Sequence, residues 1–389
     1  MSVPTDITMH RWRVLASAMV SFFAVGMTFF AVPPLIPTLR AVFALSNLSI
    51  GLLMGAIAVP AIALSIPLGA ALDRWPPRAA GLAGLAAMLV GAVAFAAAPG
   101  FAWLLAARLI FGIGGLLINL LLARLISVAF AGRELALAMG LFTGVYHAGM
   151  IVLFSLHPWL EANLGWRGEL GLLAALVVVA IPLHVLAVPR SLPAGEGRRK
   201  PGVSGPLPGP LAALGVSWML YFVGFAALLT FAPEWAGGGA SGLLVTSVIT
   251  WIAMIGTPLA GAAIDRVGRP QVWAAASVGL MAATLALMAS GAVPAIAAMA
   301  MLGVVAAVAP PAFYSLPARL VPPERVGFAF GFITALSNLG AVIGPALAGL
   351  VRDATPAWAP VWGTLAGVAL AGAAVAAYVR PASSSAGRS

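Results

Sequence analysis

Apolar runs of about twenty residues recur along this chain from Arg11 to Tyr378, separated by short breaks that hold most of its basic residues. At a rise of about 1.5 Å per residue, a helix of that length crosses the hydrocarbon core of a bilayer. Of the 389 residues, 62% are hydrophobic and 8% charged, against about 25% charged in soluble globular chains. Such a chain cannot cover itself with a polar surface, so its main solvent is lipid. The expected class is an all-α integral membrane protein.

The runs predict twelve spans, at 12–32, 47–72, 79–98, 101–128, 135–158, 168–188, 210–232, 242–264, 271–290, 292–318, 326–350 and 358–379. The first could mimic a signal peptide, since Arg11 and Arg13 precede it, but it is too long for one and many spans follow. Charge tests the count. With the N-terminus inside, sixteen basic residues fall on the cytoplasmic side and only Arg40, Arg167 and Arg352 on the other, as the positive-inside bias requires. Arg108 is left over, inside the fourth span. Both termini are thus expected in the cytoplasm, with the chain multi-pass in the inner or plasma membrane.

Several function classes recede. The net charge of +10 would suggest nucleic acid in a soluble chain, but here the basic residues flank membrane spans. A phosphate-binding P-loop needs Gly-Lys-Ser/Thr, and the single lysine, Lys200, sits in Arg-Arg-Lys-Pro. There is no cysteine, and His10, His147, His157 and His184 fall at different depths, so neither a disulfide framework nor a metal cluster is expected. No cofactor is implied. A membrane receptor would carry an added soluble segment, and a membrane enzyme a nucleophile with its base; neither is expected here.

The chain repeats itself. Gly69-Ala-Ala-Leu-Asp73-Arg74 returns as Gly261-Ala-Ala-Ile-Asp265-Arg266, 192 residues later. Ala123-Arg124-Leu125 with Ala138-Met139-Gly140 is echoed by Ala318-Arg319-Leu320 with Ala329-Phe330-Gly331. Two echoes in the same order predict two pseudo-symmetric six-helix bundles, 1–188 and 210–380, joined by a cytoplasmic Pro-, Gly- and Arg-rich linker at 189–209 and followed by a disordered tail at 381–389. Spans three, six, nine and twelve are nearly pure Ala, Leu, Val and Gly and are expected to face lipid.

Gly69-x-x-x-Asp73-Arg74-x-x-x-Arg78 resembles the loop 2–3 signature of the major facilitator superfamily, and Gly261-x-x-x-Asp265-Arg266-x-Gly268-Arg269 its degenerate counterpart in loop 8–9. Pro76 stands where that family has Gly. Arg108-x-x-x-Gly112-x-Gly114 resembles the family's fourth-helix motif. The resemblance implies a monomeric secondary transporter that works by alternating access. It also implies a cytoplasmic latch between the halves, made by Gly69, Asp73, Arg74, Arg78, Arg124, Gly261, Asp265 and Arg266. Gly69 is expected to let helices approach closely; the bland alternative is that these charges only set topology.

Candidate solute-facing residues are Arg108, Asn119, Tyr146, His147, Tyr221, Tyr314, Thr334 and Asn338, the large polar groups of the other spans. Arg108, Gly112, Gly115 and Asn119 are spaced 4, 3 and 4 apart and should share one helix face. A charge at that depth costs about 2.5–3.5 kcal/mol on insertion scales, so Arg108 either lines a cavity or is paired structurally. His147 could exchange a proton or bind an anion, or simply pack. No span carries a carboxylate near its middle, while Arg108 and His147 are both basic. The balance tilts toward a small organic or inorganic anion moved with a proton or a counter-substrate. Multidrug efflux by proton antiport is the alternative; the fifth span lacks the Gly-Pro motif of drug antiporters.

Overall fold

The computed structural model describes residues 11–72, 74–130, 134–190, 207–322 and 325–379. Among them the regular structure is helical: α1 Arg11–Phe29, α2 Val32–Phe43, α3 Asn47–Ala56, α4 Val59–Leu72, α5 Pro77–Ala96, α6 Phe101–Ala129, α7 Leu135–Ala187, α8 Gly209–Trp235, α9 Gly239–Val267, α10 Pro270–Ser290, α11 Ala295–Tyr314, α12 Pro317–Leu320, α13 Val326–Ala354 and α14 Ala359–Ala377. Among the described residues, eleven helical stretches are long and apolar enough to cross a membrane. One of these, α7, is broken at Gly165, whose φ of 65° and ψ of 168° lie outside helical geometry. Counting its two arms separately gives twelve crossing segments. The loop expected between the fifth and sixth spans is therefore a single bent residue, with helix on both sides of it.

Proline explains where the first two spans break. The amide nitrogens of Pro33 and Pro34 cannot donate, so the carbonyls four residues earlier, on Phe29 and Phe30, lose their helical partners. The helix stops at Phe29 and restarts at Val32 as α2, which extends the span to Phe43 instead of the expected end near residue 32. In the same way Pro60 leaves the Ala56 carbonyl without a donor, and α3 gives way to α4 at Ile57–Ala58. Inside a bilayer the freed carbonyls must find donors elsewhere.

By internal contacts the chain divides into two compact units, α1–α7 with residues 237–244, and α8–α14 with the rest of α9. In the first, α1 runs along α7, α5 packs on α6 and α7, and α3 and α4 lie against α6. Leu15, Phe22, Phe111, Ile118, Leu121 and Phe142 form its core. In the second, α8 packs on α13 and α14, and α10 on α14 and α11. Lipid tails are as apolar as leucine, so close packing rather than hydrophobic exclusion holds such helices together. A methyl at Gly112 would strike the backbone of Ile57, and methyls at Gly340 and Gly344 would strike Met219 and Val223. These glycines bring α6 onto the end of α3, and α13 onto α8.

Candidate functional site

Arg108 lies about two turns into α6 and is 2% exposed. Its guanidinium is directed mainly at backbone. Nη1 donates to the Thr28 carbonyl at 2.7 Å, Nη2 to the Phe29 carbonyl at 3.1 Å, and Nε to the Leu53 carbonyl at 3.3 Å. The Met54 sulfur and the Phe95 ring complete its surroundings. Thr28 and Phe29 end α1, and Leu53 lies in the last turn of α3. Arg108 thus supplies donors at both proline-induced breaks, one of them to the Phe29 carbonyl that Pro33 cannot serve. Gly112, one turn on, permits the close approach of α3 that this requires. Arg108 is thus paired with backbone, and it also lines a small cavity with Phe95, Phe111, Leu170 and Leu173. The predicted polar face also divides: Arg108, Gly112 and Gly115 are buried, whereas Asn119 is exposed.

Arg108 reaches the next candidates through α1. Phe29 and Phe30, beside its carbonyl acceptors, hold the Tyr146 ring at centroid distances of 5.8 and 5.3 Å, and Phe22 approaches it at 5.4 Å. His147 meets Tyr146 edge-on at 5.6 Å. Its Nδ1 lies 3.3 Å from the Thr143 carbonyl. A carbonyl only accepts, so Nδ1 carries the proton and Nε2 is the nitrogen left for a ligand. Both side chains are half-buried.

In the second unit Tyr221 and Tyr314 meet around Trp218. Tyr221 is buried and stacks on Trp218 at 4.8 Å, while Tyr314, 40% exposed, meets it edge-on at 5.8 Å. Thr334 and Asn338 lie apart from that cluster's ring contacts, half-buried on α13. They pair through the backbone, Asn338 Nδ2 donating to the Thr334 carbonyl at 2.9 Å.

Of the residues expected at the latch, Asp73 lies outside the described residues. Arg124 donates from Nη1 to the Leu72 carbonyl at 2.6 Å, and Arg78 from Nε to the Val188 carbonyl at 2.9 Å. Each completes the C-terminal end of a helix, α4 and α7 respectively. Arg74, Asp265 and Arg266 are exposed. One expectation is corrected: nothing packs within 4 Å of where a Gly69 side chain would stand, and Gly261 has only ordinary contact with Pro311. Close approach is carried by Gly112, Gly340 and Gly344 instead, because those positions face a neighbouring backbone.

The family model for the Major Facilitator Superfamily matches residues 18–240 and again 211–388. The chain belongs to the major facilitator superfamily. It is a multi-pass transporter of that family by this membership. No curated protein sequence matches it. Among solved structures it resembles the nucleoside transporter NupG, in a single-residue variant, with TM-score 0.77 and 15% identity over 96% of this chain and 99% of that one. It also resembles a bacterial homologue of the human lysosomal transporter Spinster, inward-facing and occupied, with TM-score 0.74 and 16% identity over 95% and 94% of the two chains.

Two features of this superfamily member escaped the sequence. One acceptor of Arg108, the Phe29 carbonyl, is the one that Pro33 orphans four residues back, but nothing in the sequence pairs it with Arg108, and the Thr28 and Leu53 carbonyls follow from no proline. Glu169 is 0% exposed. Its burial depends on the bend at Gly165, which no spacing rule announces.

Proposed function

We propose that this superfamily member is a secondary transporter moving a small organic anion by alternating access, driven by a proton or a counter-substrate. The observation that carries the anion preference is the placement of His147. Its Nδ1 is occupied by the Thr143 carbonyl, Nε2 is left open, and the ring stands beside the aromatic wall of Tyr146, Phe29 and Phe30. A protonated Nε2 would meet a carboxylate, and the rings would meet an apolar body. Arg108 supports this site by holding the end of α1. Within the second unit, Tyr314 is exposed and Thr334 and Asn338 are half-buried polar groups. We place both termini and the 189–209 linker in the cytoplasm, with helical bundles at 1–188 and 210–380, and assign gating to the Asp73 loop and its 261–266 copy.

A thermal-shift screen of the purified protein against small carboxylates, inorganic anions and lipophilic cations tests the preference. Carboxylates with an apolar body should raise the melting temperature of the wild type, and His147→Gln should lose most of that shift. Stabilisation by lipophilic cations alone would replace anion transport with drug efflux.

A further inference from the structure

The first unit holds a second titratable cluster, which the solute site does not use. His157 precedes Glu161 by one turn on the first arm of α7. The bend at Gly165 returns the second arm so that Glu169 meets the same imidazole. Nδ1 of His157 lies 2.9 and 3.1 Å from the two Glu169 oxygens, and Nε2 lies 3.3 Å from Oε2 of Glu161. The other Glu161 oxygen accepts from the Thr38 hydroxyl of α2. Glu169 is 0% and His157 4% exposed, whereas the Glu161 side chain is 36% exposed.

Charged groups on the adjoining elements have partners of their own. Arg40, also on α2, donates to the Asn47 amide oxygen. Arg167 donates to the Ala96 carbonyl at the end of α5, with its guanidinium over the Trp166 ring. Arg108 is the charged group of the membrane interior of α6 and is directed at backbone carbonyls. Arg11 and Arg13 of α1 and Arg78 of α5 lie at the opposite ends of their helices.

Proton counting then constrains the cluster. An ionised carboxylate only accepts, and both ring nitrogens face carboxylates, so two protons must reside among the three groups. They form either an imidazolium between two carboxylates or a neutral ring beside one protonated carboxyl. If one proton leaves, one of the nitrogen–oxygen contacts sets lone pair against lone pair. The wholly buried Glu169 keeps its partner, because an unpaired buried carboxylate is the costlier outcome. The contact that opens is to Glu161, which water can reach; the Thr38 hydroxyl still donates to the ionised Glu161 carboxylate.

We propose that His157, Glu161 and Glu169 form a proton-binding site whose loaded form ties α2 to the bend in α7. Losing the proton breaks that tie between Glu161 and His157, one turn before the bend at Gly165. The three residues do not form an arrangement that could hold a metal ion.

The cysteine-free chain allows a direct test. A fluorophore on Leu164→Cys, an exposed position beside the bend, is followed in the purified full-length protein as pH is raised and lowered again. A second label on the exposed Leu186→Cys serves as control. The 164 label should show one reversible spectral step that the 186 label lacks. His157→Gln and Glu161→Gln should each abolish it, and His147→Gln should leave it. If His157→Gln does not fold, the partly exposed Glu161→Gln decides alone. Absence of the step in the wild-type chain, its survival in Glu161→Gln, or its appearance with zinc at constant pH would each overturn the assignment. No solute is involved, so failure here is distinct from failure of the transport proposal.

Discussion

Five arginines in this protein work on helix ends. Arg78, Arg108, Arg124, Arg167 and Arg352 each donate to carbonyls at or near a helix C-terminus, where the last acceptors lack intrahelical donors and the dipole is negative. Arg108 does this at two breaks at once, away from water. Replacing it with glutamine removes the charge and most of the donors and leaves buried carbonyls unserved. The expected loss is roughly 3 kcal/mol of unfolding free energy, as for one or two charged hydrogen bonds, read from denaturation in detergent. Arg108→Lys should recover only part, because an ammonium cannot span three acceptors as the planar fork does. Unchanged stability in Arg108→Gln would mean that the carbonyl contacts contribute little.

At the scale of the helices, the breaks and the arginine are one device. Pro33→Ala restores an amide that can serve the Phe29 carbonyl, so it should reduce the cost of Arg108→Gln. A double-mutant cycle should give a coupling of about 1 kcal/mol; strict additivity would separate the proline from the arginine. Packing gives a second contrast. Gly112→Ala pushes a methyl against the Ile57 backbone and should destabilise by about 1–3 kcal/mol, whereas Gly69→Ala, with open space, should stay within about 0.5 kcal/mol. Length and hydropathy made the spans legible, and Arg108 stood out as a charge at mid-membrane. The sequence could not say what Arg108 faces, because its acceptors are main-chain groups up to 80 residues away. Gly69 misled for a related reason: small size permits close approach without requiring a neighbour.

For the whole molecule, the doubled match to one family model answers to the internal repeat at Asp73 and Asp265. The two halves have diverged where chemistry is concentrated. The first carries Arg108, His147 and the His157 cluster, and the second an aromatic group around Trp218. If the Asp73 loop operates the gate, Asp73→Asn should slow turnover several-fold while solute affinity stays near wild type; unaltered turnover would leave Asp73 a topological mark. The central proposal, exchange of a small organic anion, is tested most directly by counterflow in proteoliposomes. Vesicles preloaded with an unlabelled carboxylate should accumulate the labelled one transiently, and His147→Gln vesicles should accumulate far less. Equal accumulation in His147→Gln and wild type, or exchange of lipophilic cations with none of the carboxylates, would contradict it.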